Sequence, residues 1–279
     1  MFPDFIFFQR GEAAIWVDPG CSEPTFVERL TDADGLLAQP DCQIIKDQKK
    51  ITIGRLTLSI AGRSRTIFVK RYNAFSLRYR LASPFTYSGA FRSLRGAAIL
   101  RAAEIPCARP IAAVENRKGG ALTKSFFLAE EVAGGETVDA HWRNRLQGLT
   151  GHGSIALRRH FLAQLACLFN TLHGESIYHN DLKDANILAV SDGCHNDLRF
   201  VLLDLDGVTR LGRLSRRRRV KNLMQLNRTL GRYLRRPEKM FFLKCYLGST
   251  FSERSQRREL TERVLSESSR VDRLMADRD

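Results

Sequence analysis

Residues suited to chemistry are concentrated in two neighbouring segments, HNDLKDANIL at positions 179–188 and LLDLDGV at positions 202–208. In the first segment Asp181 and Asn186 lie five residues apart on one loop, so both side chains can face the same cavity. In the second segment Asp204 follows directly on an apolar run that has the pattern of a buried strand. Two carboxylates and an amide at one point offer the hard oxygen ligands that Mg²⁺ prefers. The pattern therefore indicates a magnesium site that could bridge the phosphates of a nucleotide.

The spacing in the first segment resembles the catalytic loop of the protein-kinase-like phosphotransferases, which has the pattern H-R-D-L-x-x-x-N. The positions that match in type and spacing are His179, Asp181, Leu182 and Asn186, and Asn180 replaces the arginine. The second segment corresponds to the D-F-G motif of the same enzymes, whose aspartate binds the metal. An ordinary polar loop is the alternative, but it would not explain agreement at several fixed positions.

A loop of this kind needs elements on either side to position it, and the sequence predicts both strands and helices. Alternating apolar residues and intervening turn residues predict strands, whereas alanine-rich or 3.6-periodic segments predict helices. The predicted strands cover residues 43–72, 111–114, 125–132 and the run that ends at Asp204. The predicted helices cover residues 90–103, 155–174, 220–236 and about 252–275.

Strands in the N-terminal half and helices in the C-terminal half predict an α+β chain with a two-lobed, protein-kinase-like fold. The N-lobe would be small, antiparallel and β-rich, and the C-lobe would be larger and mainly helical. We divide the chain into an N-terminal extension (1–40), a nucleotide-binding N-lobe (41–132) and a catalytic and acceptor-binding C-lobe (133–279). The sequence leaves open whether residues 1–40 cover the cleft between the lobes or pack elsewhere.

A kinase also needs a cation for the nucleotide phosphates on the third strand of its small lobe, and Lys70 in IFVKRY has that position. Taken alone, such a lysine is more often a charge at a strand edge. The last strand of this lobe ends with Glu130 and Val132, whose backbone groups could bind an adenine edge. A buried strand with two solvated glutamates is the alternative. Without a G-x-G-x-x-G motif, the turn at 53–55 or at 61–63 could cover the nucleotide.

The carboxylate that usually pairs with this lysine is missing from its usual place. Residues 71–103 contain no Asp or Glu, so the helix after Lys70 offers no partner. Glu104, at the end of that helix, or Glu115 could substitute, or Lys70 is organised in another way.

The charge is unevenly distributed along the chain, whose formal net charge is +15. Residues 48–103 carry 12 basic and no acidic residues, and residues 210–279 carry 20 basic and 8 acidic residues. Such blocks suit a polyanion such as nucleic acid, an anionic membrane or a phosphorylated glycolipid, and a solvated surface is the alternative. Six cysteines without a CxxC pair predict reduced thiols of a cytosolic protein. No window has the length and apolar character of a membrane span.

The region from about residue 40 to residue 235 resembles the bacterial lipopolysaccharide kinase family, of the Kdo-kinase and WaaP/InaA type. The segments that carry the resemblance are IFVKRY, RGAAILRAAEIPCARPIAAVE, FLAEEV, HNDLKDANILAV and FVLLDLDGVTRLGRLSRRRRVKNLMQLNRTL. The resemblance implies ATP-dependent phosphorylation of a sugar hydroxyl, on a heptose or Kdo of the lipopolysaccharide core. It also implies a cytoplasmic protein that is peripheral on the cytoplasmic face of the inner membrane.

The resemblance further implies roles for individual residues. Asp181 would orient the acceptor hydroxyl and accept its proton, and His179 would brace the loop through hydrogen bonds. Asn186 and Asp204 would hold Mg²⁺. Lys70 would bind a phosphate of ATP.

The arginines that follow the metal-binding strand would bind the acceptor or attach the protein to the membrane. They are Arg210, Arg213, Arg216, Arg217, Arg218 and Arg219. Asp206 is either a second metal ligand or a turn residue. In this interpretation no nucleic-acid partner is expected, and no obligate protein partner is evident.

Two other functions are compatible with the sequence. The same fold could phosphorylate a protein or a small molecule, as an atypical kinase. Alternatively, the missing glutamate motivates a non-catalytic pseudokinase, a basic module that binds membranes or nucleic acid.

Overall fold

The structure of the protein, a computed structural model, describes residues 4–73, 86–191 and 198–276. The chain divides into two compact units, and the division is not a single cut along the sequence. The first unit comprises Met1–Ala98 and Ala108–Val132, and the second comprises Ile99–Cys107 and Ala133–Asp279.

A seven-stranded antiparallel sheet forms the first unit, in the order β1-β2-β6-β7-β5-β4-β3. Its strands are β1 (Ile6–Arg10), β2 (Ala13–Val17), β3 (Gln43–Asp47), β4 (Ile51–Ile60), β5 (Arg63–Asn73), β6 (Pro110–Lys118) and β7 (Ala121–Glu130). The sequence analysis missed β1 and β2. Because β2 pairs with β6, the N-terminal segment belongs to this sheet.

Both faces of the sheet are covered within the first unit. On one face, α1 (Pro24–Thr31) and α2 (Ala33–Leu37) contribute Phe26, Leu30 and Leu36 to a core that also contains Val69 of β5. On the other face lies the first part of α3 (Gly89–Ala102), where the Tyr72 hydroxyl lies 2.9 Å from the Ser93 hydroxyl. Burial of this apolar surface is the main force that holds the helices to the sheet.

The hairpin between β4 and β5 corrects one prediction from the sequence. Ala61 and Gly62 have positive φ angles of 51° and 71°, as a two-residue hairpin turn requires. Gly54, by contrast, lies inside β4 and pairs with Val69, so the segment 53–55 is not a turn. A Cβ atom at Gly54 would lie 2.6 Å from both Cys42 Sγ and Leu37 Cδ2, so glycine here permits close packing.

The second unit is mainly helical and contains two small antiparallel sheets. Its helices are α4 (Val138–His141), α5 (His152–Gly174), α6 (Arg216–Arg228), α7 (Arg236–Leu247) and α8 (Arg254–Ala276). Its strands are β8 (Glu136–Thr137), β9 (Ile177–His179), β10 (Ile187–Ser191), β11 (Leu198–Leu202) and β12 (Val208–Arg210). The three-stranded sheet has the order β11-β10-β8, and β12 pairs with β9.

The helix predicted over 220–236 ends early, and the separate helix α7 that begins at residue 236 was missed. Helix α6 ends at Arg228, and Thr229 leaves the helical region with φ −108° and ψ −92°. Helix α7 begins at Arg236, with Pro237 in its first turn, where a missing N–H costs nothing. The prediction failed because the apolar period continues across this break.

The β-rich N-terminal part and the helical C-terminal part confirm the predicted α+β class. No disulfide joins the cysteines in the part of the chain that the structure describes, and Cys167 is exposed while Cys21 is buried. Within residues 4–73, 86–191 and 198–276, none of the helices combines the length and apolar character needed to cross a membrane.

Candidate active site

Residues 179–186, called the HND loop below, connect β9 to β10 and end in one turn of 3₁₀ helix, Asp184–Asn186. The start of the loop is fixed to the segment after β11, since Asn180 N–H donates to the Gly207 carbonyl at 3.0 Å. Gly207 permits this approach, because a Cβ atom there would lie 3.0 Å from Asn180 Cβ. The loop is thus held at both ends by short strands.

Asp181 and Asn186 meet directly within the HND loop. The Asn186 side-chain amide donates to the Asp181 backbone carbonyl at 2.7 Å and to Asp181 Oδ2 at 3.2 Å. Lys183 Nζ also lies 2.7 Å from Asp181 Oδ2. Because Asn186 uses its amide nitrogen for Asp181, its Oδ1 atom is the ligand that it can offer to a cation.

The β10–β11 pairing holds the residue before Asp204 against Asn186. Leu202 pairs with Ile187, and Leu203 N–H donates to the Asn186 carbonyl at 2.9 Å, so Asp204 follows directly on a contact with Asn186. Asp204 itself adopts the left-handed conformation, with φ 56° and ψ 56°. Non-glycine residues in this conformation cluster at functional sites.

His179 connects the HND loop to the strand that delivers Asp204. Its Nε2 atom lies 2.9 Å from the Leu203 carbonyl, and Asp181 N–H donates to its Nδ1 atom at 3.2 Å. A carbonyl only accepts and an N–H only donates, so the imidazole is neutral and carries its proton on Nε2. Burial lowers the pKa of His179, against the Leu203 hydrogen bond and the nearby carboxylates of Asp204 and Asp181.

The oxygen groups of this loop suit Mg²⁺ in one specific way. Among the described residues no group of three or more His, Cys, Asp or Glu side chains could hold a metal ion. Asn186 and Asp204 instead offer one amide oxygen and one carboxylate. Mg²⁺ is commonly held by one or two such protein ligands together with substrate phosphates and water. The residues therefore fit a metal that arrives with a nucleotide. Asp206 lies in the 3₁₀ turn Leu205–Gly207, and its role stays open.

Lys70 lies on β5 in the first unit, on the opposite face from Arg71. Its Nζ atom is 4.8 Å from the centroid of the Tyr72 ring. Arg71 instead pairs with Asp34 at 2.8 Å and donates to the Thr52 hydroxyl at 2.9 Å. Because side chains alternate along a strand, Lys70 and Arg71 lie on opposite faces of β5, and Arg71 binds α2.

Of the two candidate partners for Lys70, Glu115 is engaged elsewhere, and Glu104 lies in the turn that ends α3. Glu104 has a positive φ of 55° and terminates α3, where Ile105 N–H donates back to the Leu100 carbonyl. Glu115 is buried in β6 and pairs with Arg117 at 3.0 Å.

The end of β7 carries ion pairs rather than solvated glutamates. Glu130 accepts from Arg65 at 2.6 Å and lies 3.5 Å from Arg109, and Glu131 accepts two hydrogen bonds from Arg55, each of 2.8 Å. The backbone N–H groups of Glu130 and Glu131 donate within the unit, to the carbonyls of Arg109 and Thr66 respectively. An adenine contact here would therefore use other backbone atoms.

The six arginines after β11 do not form one uniform patch. Arg210 pairs with Glu175, Arg216 lies 2.5 Å from Glu259, and Arg219 donates to the His173 carbonyl at 3.4 Å. Arg218 instead stacks over the Tyr178 ring at 5.3 Å. Arg213 and Arg217 line two grooves beside α6, Arg213 in one and Arg217 in the other. The run Arg216, Arg217, Arg218 and Arg219 forms the first turn of α6, so the helix directs the four side chains to different sides.

Helix α6 also contributes residues that the sequence analysis missed. Asn222 and Gln225 contact the backbone of the HND loop, and Lys221 donates to Asn180 Oδ1 at 2.9 Å. Asn180, which stands where the kinase pattern has arginine, is therefore bound by a cation from α6. The available signal was a pair of amide residues three positions apart among apolar residues of one helix.

Comparison with known proteins agrees with this geometry. The family model described as "Lipopolysaccharide kinase (Kdo/WaaP) family" matches residues 47–246, which is well over half of the chain. This chain belongs to the lipopolysaccharide kinase (Kdo/WaaP) family. The resemblance noted in the sequence is confirmed, and the protein is an enzyme, a kinase that phosphorylates a sugar of the lipopolysaccharide core.

A solved structure, "WaaP in complex with acyl carrier protein", supports the same fold for this lipopolysaccharide kinase. The two chains are 20% identical, and the match covers 89% of this chain and 97% of the other, with a TM-score of 0.65. At this identity the likeness concerns the fold, and it confirms the predicted kinase-like architecture. A search of curated proteins finds no match.

Proposed function

We propose that this lipopolysaccharide kinase transfers the terminal phosphoryl group of ATP to a hydroxyl of a heptose or Kdo. The observation that carries the proposal is the hydrogen-bonded unit of Asp181 and Asn186, next to the strand end that presents Asp204. A P–O bond to the sugar oxygen forms while the bond to the β-phosphate oxygen breaks, and ADP leaves. The hydroxyl proton passes to a carboxylate oxygen of Asp181.

Each group of the HND loop has one task in this proposal. Asn186 and Lys183 orient the Asp181 carboxylate, which in turn orients the acceptor hydroxyl. Neutral His179 ties Asp181 to the strand before Asp204. Asn186 and Asp204 would hold Mg²⁺, which neutralises charge on the phosphates when it is bound.

On the first unit, Lys70 would bind a phosphate of ATP. The adenine edge would meet the end of β7, at the Glu130 carbonyl and the Val132 backbone. The N–H groups of Glu130 and Glu131 already donate hydrogen bonds within the unit, which supports the choice of the Glu130 carbonyl and the Val132 backbone for the adenine.

The acceptor side of the site would lie along α6. A groove of about 1240 Å³ is lined by Tyr178, Arg217, Arg218, Lys221, Arg263 and Arg270, together with acidic residues of α8. Lys221 and Tyr178 both hydrogen-bond Asn180 of the HND loop, so the groove begins beside that loop. A row of cations with an aromatic ring suits a phosphorylated sugar. Arg210, Arg213, Arg216 and Arg219 would then support this surface or attach the protein to anionic lipid.

A variant pair tests the acceptor groove. Replacing Arg217 and Arg218 together by Ala should raise the KM for core oligosaccharide about tenfold and leave the KM for ATP unchanged. Arg254→Ala is the matched control, because Arg254 is an exposed arginine of α8 that lines neither groove beside α6. An unchanged acceptor KM in the double variant would contradict the assignment.

The central experiment measures phosphoryl transfer from labelled ATP to core oligosaccharide, to free sugars and to a generic protein substrate in parallel. We expect transfer to the oligosaccharide, with loss of at least 1000-fold in Asp181→Ala. Asp41→Ala, which removes an exposed carboxylate far along the chain, serves as the control. Transfer that survives in Asp181→Ala, or that favours the protein substrate, would overturn the proposal.

Peripheral attachment to the inner membrane is a further part of the proposal. We expect sedimentation with vesicles that contain anionic lipid, and release by salt, because the two basic blocks favour an anionic surface. If the protein bound neutral vesicles as strongly as anionic vesicles, this part of the proposal would be contradicted.

Acyl carrier protein is a candidate partner, because the WaaP of the comparison structure was solved in complex with it. Titration calorimetry with purified acyl carrier protein tests binding, and transfer assays with and without it test whether it is required. Since no obligate protein partner is evident in the sequence, we expect full activity without it.

A further inference from the structure

The buried face of α6 holds the backbone of the HND loop on both sides of Asp181. Asn222 Nδ2 donates to the His179 carbonyl at 2.6 Å. Gln225 Nε2 donates to the Asn180 carbonyl at 2.9 Å, and Leu182 N–H donates to Gln225 Oε1 at 3.1 Å. Two amide side chains of one helix therefore bind three backbone groups that flank the proposed catalytic aspartate.

The backbone groups of the loop determine which atom donates in each of these hydrogen bonds. A backbone carbonyl only accepts, so Asn222 and Gln225 must each point their amide nitrogen at the loop. Asn222 Nδ2 also donates to Gln225 Oε1 at 3.1 Å, which joins the two amides. The Oδ1 atom of Asn222 is left facing His173 Nε2 at 3.3 Å, and this nitrogen must carry a proton.

The tautomer of His173 also determines its hydrogen bond to Tyr246 on α7. If Nε2 carries the proton of a neutral imidazole, Nδ1 accepts from the Tyr246 hydroxyl, 2.8 Å away. His173 is 1% exposed, and burial lowers its pKa to about 4, with the Asn222 hydrogen bond acting in the opposite direction. The nearby Arg219 also disfavours a charged imidazole. The chain of donors and acceptors is thus complete from Tyr246 to the loop.

We infer that Asn222 and Gln225 are positioning residues for phosphoryl transfer, and that neutral His173, protonated on Nε2, sets the orientation of Asn222. The inference rests on the proposed role of Asp181. The polar chain runs Tyr246, His173, Asn222, Gln225 and then the HND loop, and it connects α7, α5 and α6 to one short segment. The network is buried from Tyr246 to Asn222, and Gln225 is half-buried; a hydrogen-bonded network of this kind favours one arrangement of the groups at its end.

Gln225 offers the sharpest test, because the same helix supplies a matched control. Gln225→Ala removes two hydrogen bonds to the loop, and a misplacement of about 1 Å at a reacting group can cost about 100-fold in rate. We expect kcat to fall 10- to 100-fold, with the KM for ATP within about twofold of wild type. Asn227→Ala is the control, since Asn227 is a half-buried amide of α6 that bonds Ser268 of α8 instead. Equal kcat values for the two variants would overturn the inference.

Tyr246→Phe tests the far end of the chain without removing bulk. Losing the hydroxyl frees His173 Nδ1, so a smaller fall in kcat of about two- to fivefold is expected, with no change in KM. An unchanged kcat would show that the chain does not extend to α7.

A spectroscopic measurement separates this inference from the proposed function. Long-range ¹H–¹⁵N NMR of His173, assigned by its loss in His173→Gln, should show the neutral tautomer with a proton on Nε2 at pH 7. A proton on Nδ1, or a charged ring at pH 7, would overturn the proposed hydrogen-bond chain even if the enzyme is active. Wild-type protein without any transfer activity, but with the expected tautomer, would instead overturn the role of Asp181.

Discussion

The HND loop and the end of β7 both carry candidate functional residues, but different forces hold them. In the HND loop, neutral amide and imidazole groups of Asn186, Asn222 and His179 bind backbone atoms that are buried or half-buried. At the end of β7, Glu131 is held by a charged partner, and both side chains of the pair are about one-third exposed. Buried neutral networks resist rearrangement, whereas exposed ion pairs contribute little and weaken with salt. We therefore expect substitutions in the HND loop to cause large losses of activity, and substitutions at the end of β7 to cause small changes in stability.

Among the side chains that hold Asp181 in place, Asn186 has the largest expected effect when it is replaced by Ala. This change removes the brace on Asp181 and one proposed oxygen ligand of Mg²⁺, so kcat should fall about 100- to 1000-fold. The measurement is initial-rate transfer to core oligosaccharide over a range of Mg²⁺ concentrations. If the variant keeps more than a tenth of the wild-type kcat, Asn186 neither braces Asp181 nor provides a ligand for Mg²⁺.

A pH experiment tests the neutral network as a contribution to stability. Burial lowers the pKa of His173 from 6.5 to about 4 in the folded protein, so at intermediate pH the unfolded chain binds more protons. The contribution of His173 is complete above about pH 6.5 and is lost as the pH falls towards 4, by about 3 kcal/mol in total.

Urea unfolding of wild type and His173→Gln at pH 7.5, 6 and 5 measures this loss. The difference between the two proteins isolates His173 from His141 and His179, whose pKa values are also lowered by burial. Parallel pH profiles for the two proteins would show that His173 is not the titrating group.

The same contrast explains how much could be predicted from the sequence. The contact between Asp181 and Asn186 was predictable because it depends on spacing within one segment, whereas the roles of these residues stay predictions. The partners of Glu130 and Glu131 were not predictable, because Arg55, Arg65 and Arg109 reach them only through the strand order. Asn222 and Gln225 lie within a stretch that is conspicuous for its arginines, and their contacts depend on the placement of α6 against β9. Strands β1 and β2 are short runs without apolar–polar alternation, and only the pairing of β2 with β6 reveals their place.

The lysine and arginine at the end of β5 offer a smaller and more selective test. Lys70→Ala should raise the KM for ATP about tenfold, since a charged contact to phosphate is worth roughly 1.5 kcal/mol or more. Arg71→Ala is the matched control, because it removes a neighbouring cation that binds Asp34 and Thr52 on the opposite face. It should lower Tm and leave the KM for ATP within twofold. Equal effects of both variants on the KM would mean that Lys70 is a strand-edge charge.

The smallest expected effect is that of Glu131→Gln at the end of β7. The amide keeps one acceptor oxygen for Arg55 and loses the charge and one of the two hydrogen bonds, and Arg55 and Glu131 are 38% and 29% exposed. The pair with Arg55 lowers the pKa of Glu131, so its contribution is present above about pH 4.5 and is lost at lower pH. We expect a decrease in Tm of less than about 2 °C at pH 7, which disappears in 0.5 M NaCl. A decrease that exceeds about 5 °C and persists in salt would mean that this strand end is as cooperative as the buried network, and the contrast between the two regions would fail.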